Sequence, residues 1–284
     1  MPNAELILDA RAPLGEGPVW LESSNELLWV DIYGRTVHWL DPATGIDRVV
    51  DVGDEAGAVI PDRSGGLILA FPSGLARLAA GAARPEPILG LIDDPTLRLN
   101  DAACDRRGRL FVGSMPHAED VPTGSLYRVD ADLHVETVLD GVTISNGMDW
   151  SLDDRTMYYI DTPTNRVDQL DYDLETGAAT NRRPFHTFAA GTVGSPDGMC
   201  VDAEGGLWVA LWGGSKVVGL TPEGELHTEI EVDASQVTSV AFGGDGYRTL
   251  YITSAATGLD EPHAGGVFAI DVGVAGRPST AFAG

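Results

Sequence analysis

Short apolar runs bounded by polar turns recur along this chain, and their spacing is its main organising signal. Six of them are rich in aromatic and β-branched residues: Leu27-Leu28-Trp29-Val30, Leu67-Ile68-Leu69-Ala70, Leu110-Phe111-Val112-Gly113, Met157-Tyr158-Tyr159-Ile160, Leu207-Trp208-Val209-Ala210 and Leu250-Tyr251-Ile252-Thr253. Runs of this length and composition between turn formers read as strands. A polar or glycine turn precedes each, at 22–26, 62–66, 105–109, 151–156, 202–206 and 243–249. After most of them a second strand ends at an Asp or Pro turn, as at 37–41, 125–130, 166–173, 217–222 and 266–271. Helical periodicity is scarce, which removes an α/β architecture. Repetition at about 40–50 residues matches the four-stranded blade of a propeller. Six evenly spaced copies are more strands than a two-sheet sandwich usually holds. The expectation is an all-β, six-bladed β-propeller, one domain over residues 1–284. Residues 5–9 would close the ring by pairing with strands near Ala281, which protects an otherwise open sheet edge.

A propeller brings loops from every blade to one end of a central channel, so functional residues should occupy equivalent loops ahead of successive strands. Four segments have that address: Leu14-Gly15-Glu16-Gly17-Pro18-Val19-Trp20, Arg98-Leu99-Asn100-Asp101-Ala102, Ile144-Ser145-Asn146-Gly147-Met148-Asp149-Trp150 and Ser195-Pro196-Asp197-Gly198-Met199. In the last, proline fixes φ and glycine frees it, which predicts a tight loop end holding a carboxylate. Any one of these residues is an ordinary turn former. Three at matching places in the repeat, Glu16, Asn146 and Asp197, make a set of two carboxylates and a carboxamide suited to a hard divalent cation such as Ca²⁺, Mg²⁺ or Mn²⁺. Three protein ligands leave positions open for water and substrate.

Charge and composition narrow the partners. The formal net charge is −25, from 43 acidic and 18 basic residues, and Lys216 is the only lysine. Such a surface argues against nucleic acid and anionic membranes. Residues 1–12 carry no signal pattern, and no apolar run approaches the roughly 18 residues of a membrane helix, so a cytoplasmic protein is expected. Cys104 and Cys200 are expected to be reduced thiols. The six histidines, at 38, 117, 134, 186, 227 and 263, are scattered and expected on the surface, without the pairing a histidine zinc site needs. There is no G-x-S-x-G elbow, P-loop or G-x-G-x-x-G, which disfavours a serine triad and phosphate cradles. Trp20, Trp29, Trp150 and Trp208 are expected to pack between blades.

Together, the segments from Leu14 to Trp20, Asn100-Asp101 with Gly108-Arg109-Leu110-Phe111, Ser145 to Ser151, Pro196 to Gly205 with Leu207 to Ala210, and Ala264-Gly265-Gly266-Val267-Phe268 resemble the SMP-30/gluconolactonase/LRE-like family. The resemblance covers nearly the whole chain. It implies a six-bladed propeller with one divalent cation (Ca²⁺, Mg²⁺, Mn²⁺, Zn²⁺ or Fe²⁺) in its channel, held by Glu16, Asn146 and Asp197. It further implies substrate contacts at Arg98 and Asn100, with Glu119 the nearest match to the family's acidic contact. Within Met115-Pro116-His117-Ala118-Glu119, the proline and histidine depart from the family pattern. The activity implied is that of a hydrolase of carboxylic ester bonds, opening a sugar (aldono-)lactone to the aldonic acid; for such a step Asp197, a ligand that can also accept a proton, is the candidate base. The competing expectations are a metal-dependent esterase or phosphotriesterase and a non-enzymatic calcium-binding regulator. A small-molecule partner and a monomer or weak homo-oligomer are expected.

Overall fold

A computed structural model describes residues 2–284. The fold is all-β, with only two one-turn 3-10 segments, Thr162–Thr164 and Asp245–Tyr247, among the described residues. Four separate antiparallel sheets of four strands begin at Gly15–Leu21, Val59–Pro61, Leu97–Cys104 and Ser145–Trp150. The other eight strands form one sheet, in place of the two separate sheets expected. It consists of two four-stranded meanders, one opening with Ser195–Val201 and the other with Gln236–Gly243. The strand pair that joins them is Trp212 with Gln236, where the end of Leu207–Trp212 meets the next meander, and a bridge of Asn3 to Glu231 adds to it.

The apolar runs are the second strand of each meander, buried along nearly their whole length. Leu27, Leu28, Trp29 and Val30 are fully buried, as are Leu207, Val209 and Ala210. Continuous apolar sequence is required because neighbouring sheets cover both faces of such a strand. Outer strands such as Ile46–Asp51 are mostly exposed and carry charged residues, here Asp47, Arg48 and Asp51, among the apolar ones. In three units the turn between first and second strands is pinned by a buried aspartate, Asp62, Asp105 or Asp202. Asp202 accepts from the N–H groups of Glu204 and Gly206 at 2.9 and 2.8 Å and from the Trp208 indole at 2.9 Å. Asp105 does the same for Arg107 and Arg109, both at 2.9 Å.

Three expectations are corrected. The motif segments are not loops ahead of the strands: they are the first strands themselves, for example Ser195–Val201 paired with Leu207–Trp212. Pro196 and Pro18 are tolerated there because each adjoins a β-bulge, where the ladder already skips a bond. Glu5–Leu8 pairs with Val267–Asp271, with Glu5 opposite Ala269, and not with strands near Ala281. Past Asp271 the chain holds Gly273, Gly276 and Pro278, which break a strand. It crosses beneath the sheets instead, where the Phe282 N–H bonds to Pro61 O at 2.8 Å and the Ala283 N–H to Gly108 O at 2.9 Å. His38 is buried, not on the surface. It stacks on Trp29 with centroids 3.8 Å apart, between Thr36 Oγ1 at 2.8 Å and Asp47 Oδ2 at 2.7 Å. Cys104 and Cys200 are free thiols, and among the described residues no helix is long and apolar enough to cross a membrane.

Candidate functional site

The bulges build the site. In five first strands the pairing register slips within the same short stretch: between Glu16 and Val19, Leu99 and Ala102, Ser145 and Met148, Pro196 and Met199, and Val237 and Ser239. A bulge adds a residue to one strand and re-aims its side chains. Four of these slips contain or border the residues singled out from the sequence: Glu16, Asn100, Asn146 and Asp197. First strands approach closely here. A Cβ on Gly147 would stand 2.7 Å from the Asp197 carbonyl oxygen, and one on Gly57 2.8 Å from that of Asn100.

Arg98, Asn100, Asn146 and Asp197 are buried and Glu16 is half-buried. One directed chain of hydrogen bonds links three sheets. Arg98 Nη1 donates to Asn100 Oδ1 at 2.6 Å and to Leu99 O at 3.1 Å. Asn100 Nδ2 donates to Asn146 Oδ1 at 2.7 Å and to Ser145 O at 2.8 Å. Asn146 Nδ2 donates to Thr162 Oγ1 at 2.7 Å, and Thr162 Oγ1 donates to Pro196 O at 2.8 Å. Both amide hydrogens of Asn100 are therefore spent inside the protein, leaving a ligand only a lone pair of Oδ1. Glu119 is exposed, in a turn closed by its own N–H on Pro116 O at 3.1 Å, with φ of 57°.

The carboxylates are electrostatically strained. Loss of solvation pushes Glu16 up to about 8, and the charge of Asp101 adds to it, against the Gly17 N–H and Arg98. Asp197 is raised well above the usual carboxylate range by burial first, then by the charges of Glu16, Asp101 and Glu119, with Arg98 opposing. Burial lifts Asp101 to about 6, and the Ala102 N–H partly offsets it. Excess buried negative charge around one arginine is an environment that a divalent cation would neutralise. Glu16, Asn146 and Asp197 offer oxygen donors only, and the second lone pair of Asn146 Oδ1 is free, so the donor set fits a hard cation. Among the described residues no three His, Cys, Asp or Glu side chains gather as a metal site without a carboxamide.

Asp101 and Thr162 were not singled out from the sequence. Asp101 was visible beside Asn100, but in a bulged strand adjacent residues part company. Asn100 joins the hydrogen-bond chain, whereas Asp101 lines a cavity of about 640 Å³ on the other side of the bulges. Thr162 lies 16 residues from Asn146, in a different strand connection, and nothing local marks it.

An all-β protein whose first strands converge on an oxygen-rich, acidic centre is the class these observations define. A model of the SMP-30/gluconolactonase/LRE-like region matches residues 14–256, and the chain belongs to that family. It is 39% identical to regucalcin of Xenopus laevis over 294 residues, spanning 99% of this chain and 98% of that one. It is 38% identical over 291 residues to YvrE of Bacillus subtilis (strain 168), provisionally named a sugar lactone lactonase, with 99% of both chains covered. The crystal structure of a calcium-binding regucalcin from Agrobacterium tumefaciens superposes with a TM-score of 0.93 at 28% identity, covering 98% of this chain and 97% of that one.

Proposed function

We propose that the protein is a metal-dependent lactonase that hydrolyses a sugar lactone to its aldonic acid, and that its six four-stranded units act as the blades of a propeller around the site. One observation carries the reading: two carboxylates with raised pKa values and one oriented carboxamide converge from three units, next to a buried arginine. Glu16, Asn146 and Asp197 would hold the divalent cation. When bound, that cation supplies Lewis acidity toward a lactone carbonyl and lowers the pKa of water. Asp197 accepts the proton of the attacking water on its carboxylate, a task suited to a base displaced toward neutral pH. Arg98 spends one nitrogen on Asn100 and Leu99 and offers the rest of its planar fork to sugar oxygens. Glu119, at the edge, is the acidic substrate contact, and the substrate is a small molecule met by a monomer or weak homo-oligomer.

The Agrobacterium relative is described as calcium-binding, which supports a calcium site here too; a second reading is then a calcium-binding protein without turnover. A panel of glucono-, galactono-, xylono- and arabinono-lactones, followed by acid release on chelated protein with single metals restored, separates the two. The lactonase reading expects metal-restored turnover that Asp197→Ala abolishes. Tight Ca²⁺ binding with no turnover under any metal would leave the second reading standing.

A further inference from the structure

We infer that Thr162 is a positioning residue: its hydroxyl sets which end of the Asn146 amide faces the channel and ties that amide to the peptide preceding Asp197. The inference rests on the reading of Glu16, Asn146 and Asp197 as metal ligands. Thr162 opens the one-turn segment Thr162–Thr164, directly after the strand Thr156–Asp161. That strand end is itself anchored, since Asp161 Oδ1 accepts from the N–H groups of Thr143 and Ile144 at 3.2 and 3.0 Å. The hydroxyl is thus delivered to a fixed place beside Asn146.

The direction of each bond follows from counting protons. A threonine hydroxyl has one hydrogen. The Pro196 carbonyl, 2.8 Å away, is solely an acceptor and takes it. Thr162 Oγ1 must then accept from Asn146, so Nδ2 is the end of the amide that points at it, at 2.7 Å. Oδ1 is left at the opposite end, where Asn100 Nδ2 meets it at 2.7 Å. An asparagine presents either an oxygen or an NH₂ group to a cation, and only the oxygen can ligate. Pro196 O belongs to the peptide bond that leads into Asp197, so the same hydroxyl ties the ligand of one sheet to the ligand of the next. No other side chain bridges the Asn146 side chain and the Asp197 segment among the described hydrogen bonds.

Thr162→Val keeps shape and removes the hydroxyl, whereas Thr162→Ser keeps the hydroxyl. On chelated protein, Mn²⁺ titration followed by the EPR signal of the free ion should show Thr162→Val binding 10–100-fold more weakly, the range for loss of an outer partner of a metal ligand. Thr162→Ser should restore binding, and Thr162→Ala, read alongside, covers a Val variant that fails to fold. A Val or Ala variant that melts earlier but binds Mn²⁺ like the parent overturns the inference and leaves a merely structural threonine. Asn146→Ala and Asp197→Asn serve as references. If they weaken Mn²⁺ and Thr162→Val does not, only the role of Thr162 falls; if they too bind like the parent, the metal reading falls and takes this inference with it.

Discussion

Replacing Gly147 with alanine adds one methyl where two first strands of the site meet backbone to backbone. The new Cβ would lie 2.7 Å from the carbonyl oxygen of Asp197 and 2.8 Å from the backbone nitrogen of Met199. Both are main-chain atoms of the neighbouring strand, so no side-chain rotation relieves the clash, and the two first strands must separate. Gly147 is not among the positive-φ glycines, so the penalty is steric, not conformational. Overpacking of this kind costs about 1–3 kcal/mol. At roughly 2–4 °C per kcal/mol for a large domain, the melting temperature should drop by several degrees. Because the displaced carbonyl is that of Asp197, Mn²⁺ affinity should fall in parallel. Gly90 is the matched control: it sits in the outer strand Glu86–Gly90, has nothing within 4 Å of a built Cβ and is not at positive φ. Gly90→Ala should be neutral or stabilise by about 0.4–1 kcal/mol through the unfolded chain. Calorimetric melts and Mn²⁺ titrations of the two variants decide it: a Gly147→Ala protein matching Gly90→Ala in both would refute close strand approach as the support of this site.

Three further outcomes follow from burial and charge. Glu16 rises from 4.5 to about 8 and Asp101 from 3.8 to about 6 in the folded state, so the folded protein holds protons the unfolded chain has released. Stability from these groups is full at low pH and is lost as pH climbs through this window, so metal-free protein should melt progressively earlier from pH 5 to 8. Glu16→Gln should flatten that slope, saturating Ca²⁺ should too, and a slope unchanged by both would contradict the assignment. Phe282 is fully buried against Ile60, Ile68 and Leu110, and Phe282→Ala should cost about 3–5 kcal/mol by chemical denaturation. Burial pushes both thiols up, Cys104 and Cys200 alike, so iodoacetamide at pH 8 should leave native protein unlabelled and modify both cysteines in denaturant.

The repeat was legible because a strand covered on both faces has to be apolar throughout, and Leu27 to Val30 or Leu207 to Ala210 can hardly be anything else. The glycine-flanked acids and amides were legible as chemistry but misplaced as loops. Proline and glycine in Ser195–Val201 signal a turn in isolation, and only the partner strand reveals that they mark a bulge. Closure was misassigned because strand pairing between chain ends is a long-range choice. The tail and Val267–Asp271 compete for one edge, and the tail's Gly276 and Pro278 settle it. His38 looked like a surface residue because its partners, Thr36 and Asp47, satisfy a buried imidazole only through the fold. Thr162 left no trace at all, since its role is defined by an acceptor on one strand and a donor on another.

The edge strand Glu5–Leu8 precedes the other described strands in sequence and closes a sheet whose other members end at Asp271. On the ribosome it waits, unpaired, for nearly the entire chain to emerge. The three oxygen donors are likewise dispersed, at 16, 146 and 197. A nascent chain can stack its middle sheets as they appear, yet it cannot assemble the donor set until most of translation is over. On the proposed reading, metal loading would therefore wait until Asp197 has emerged and its strand has paired, and the cation captured would reflect the compartment in which that happens.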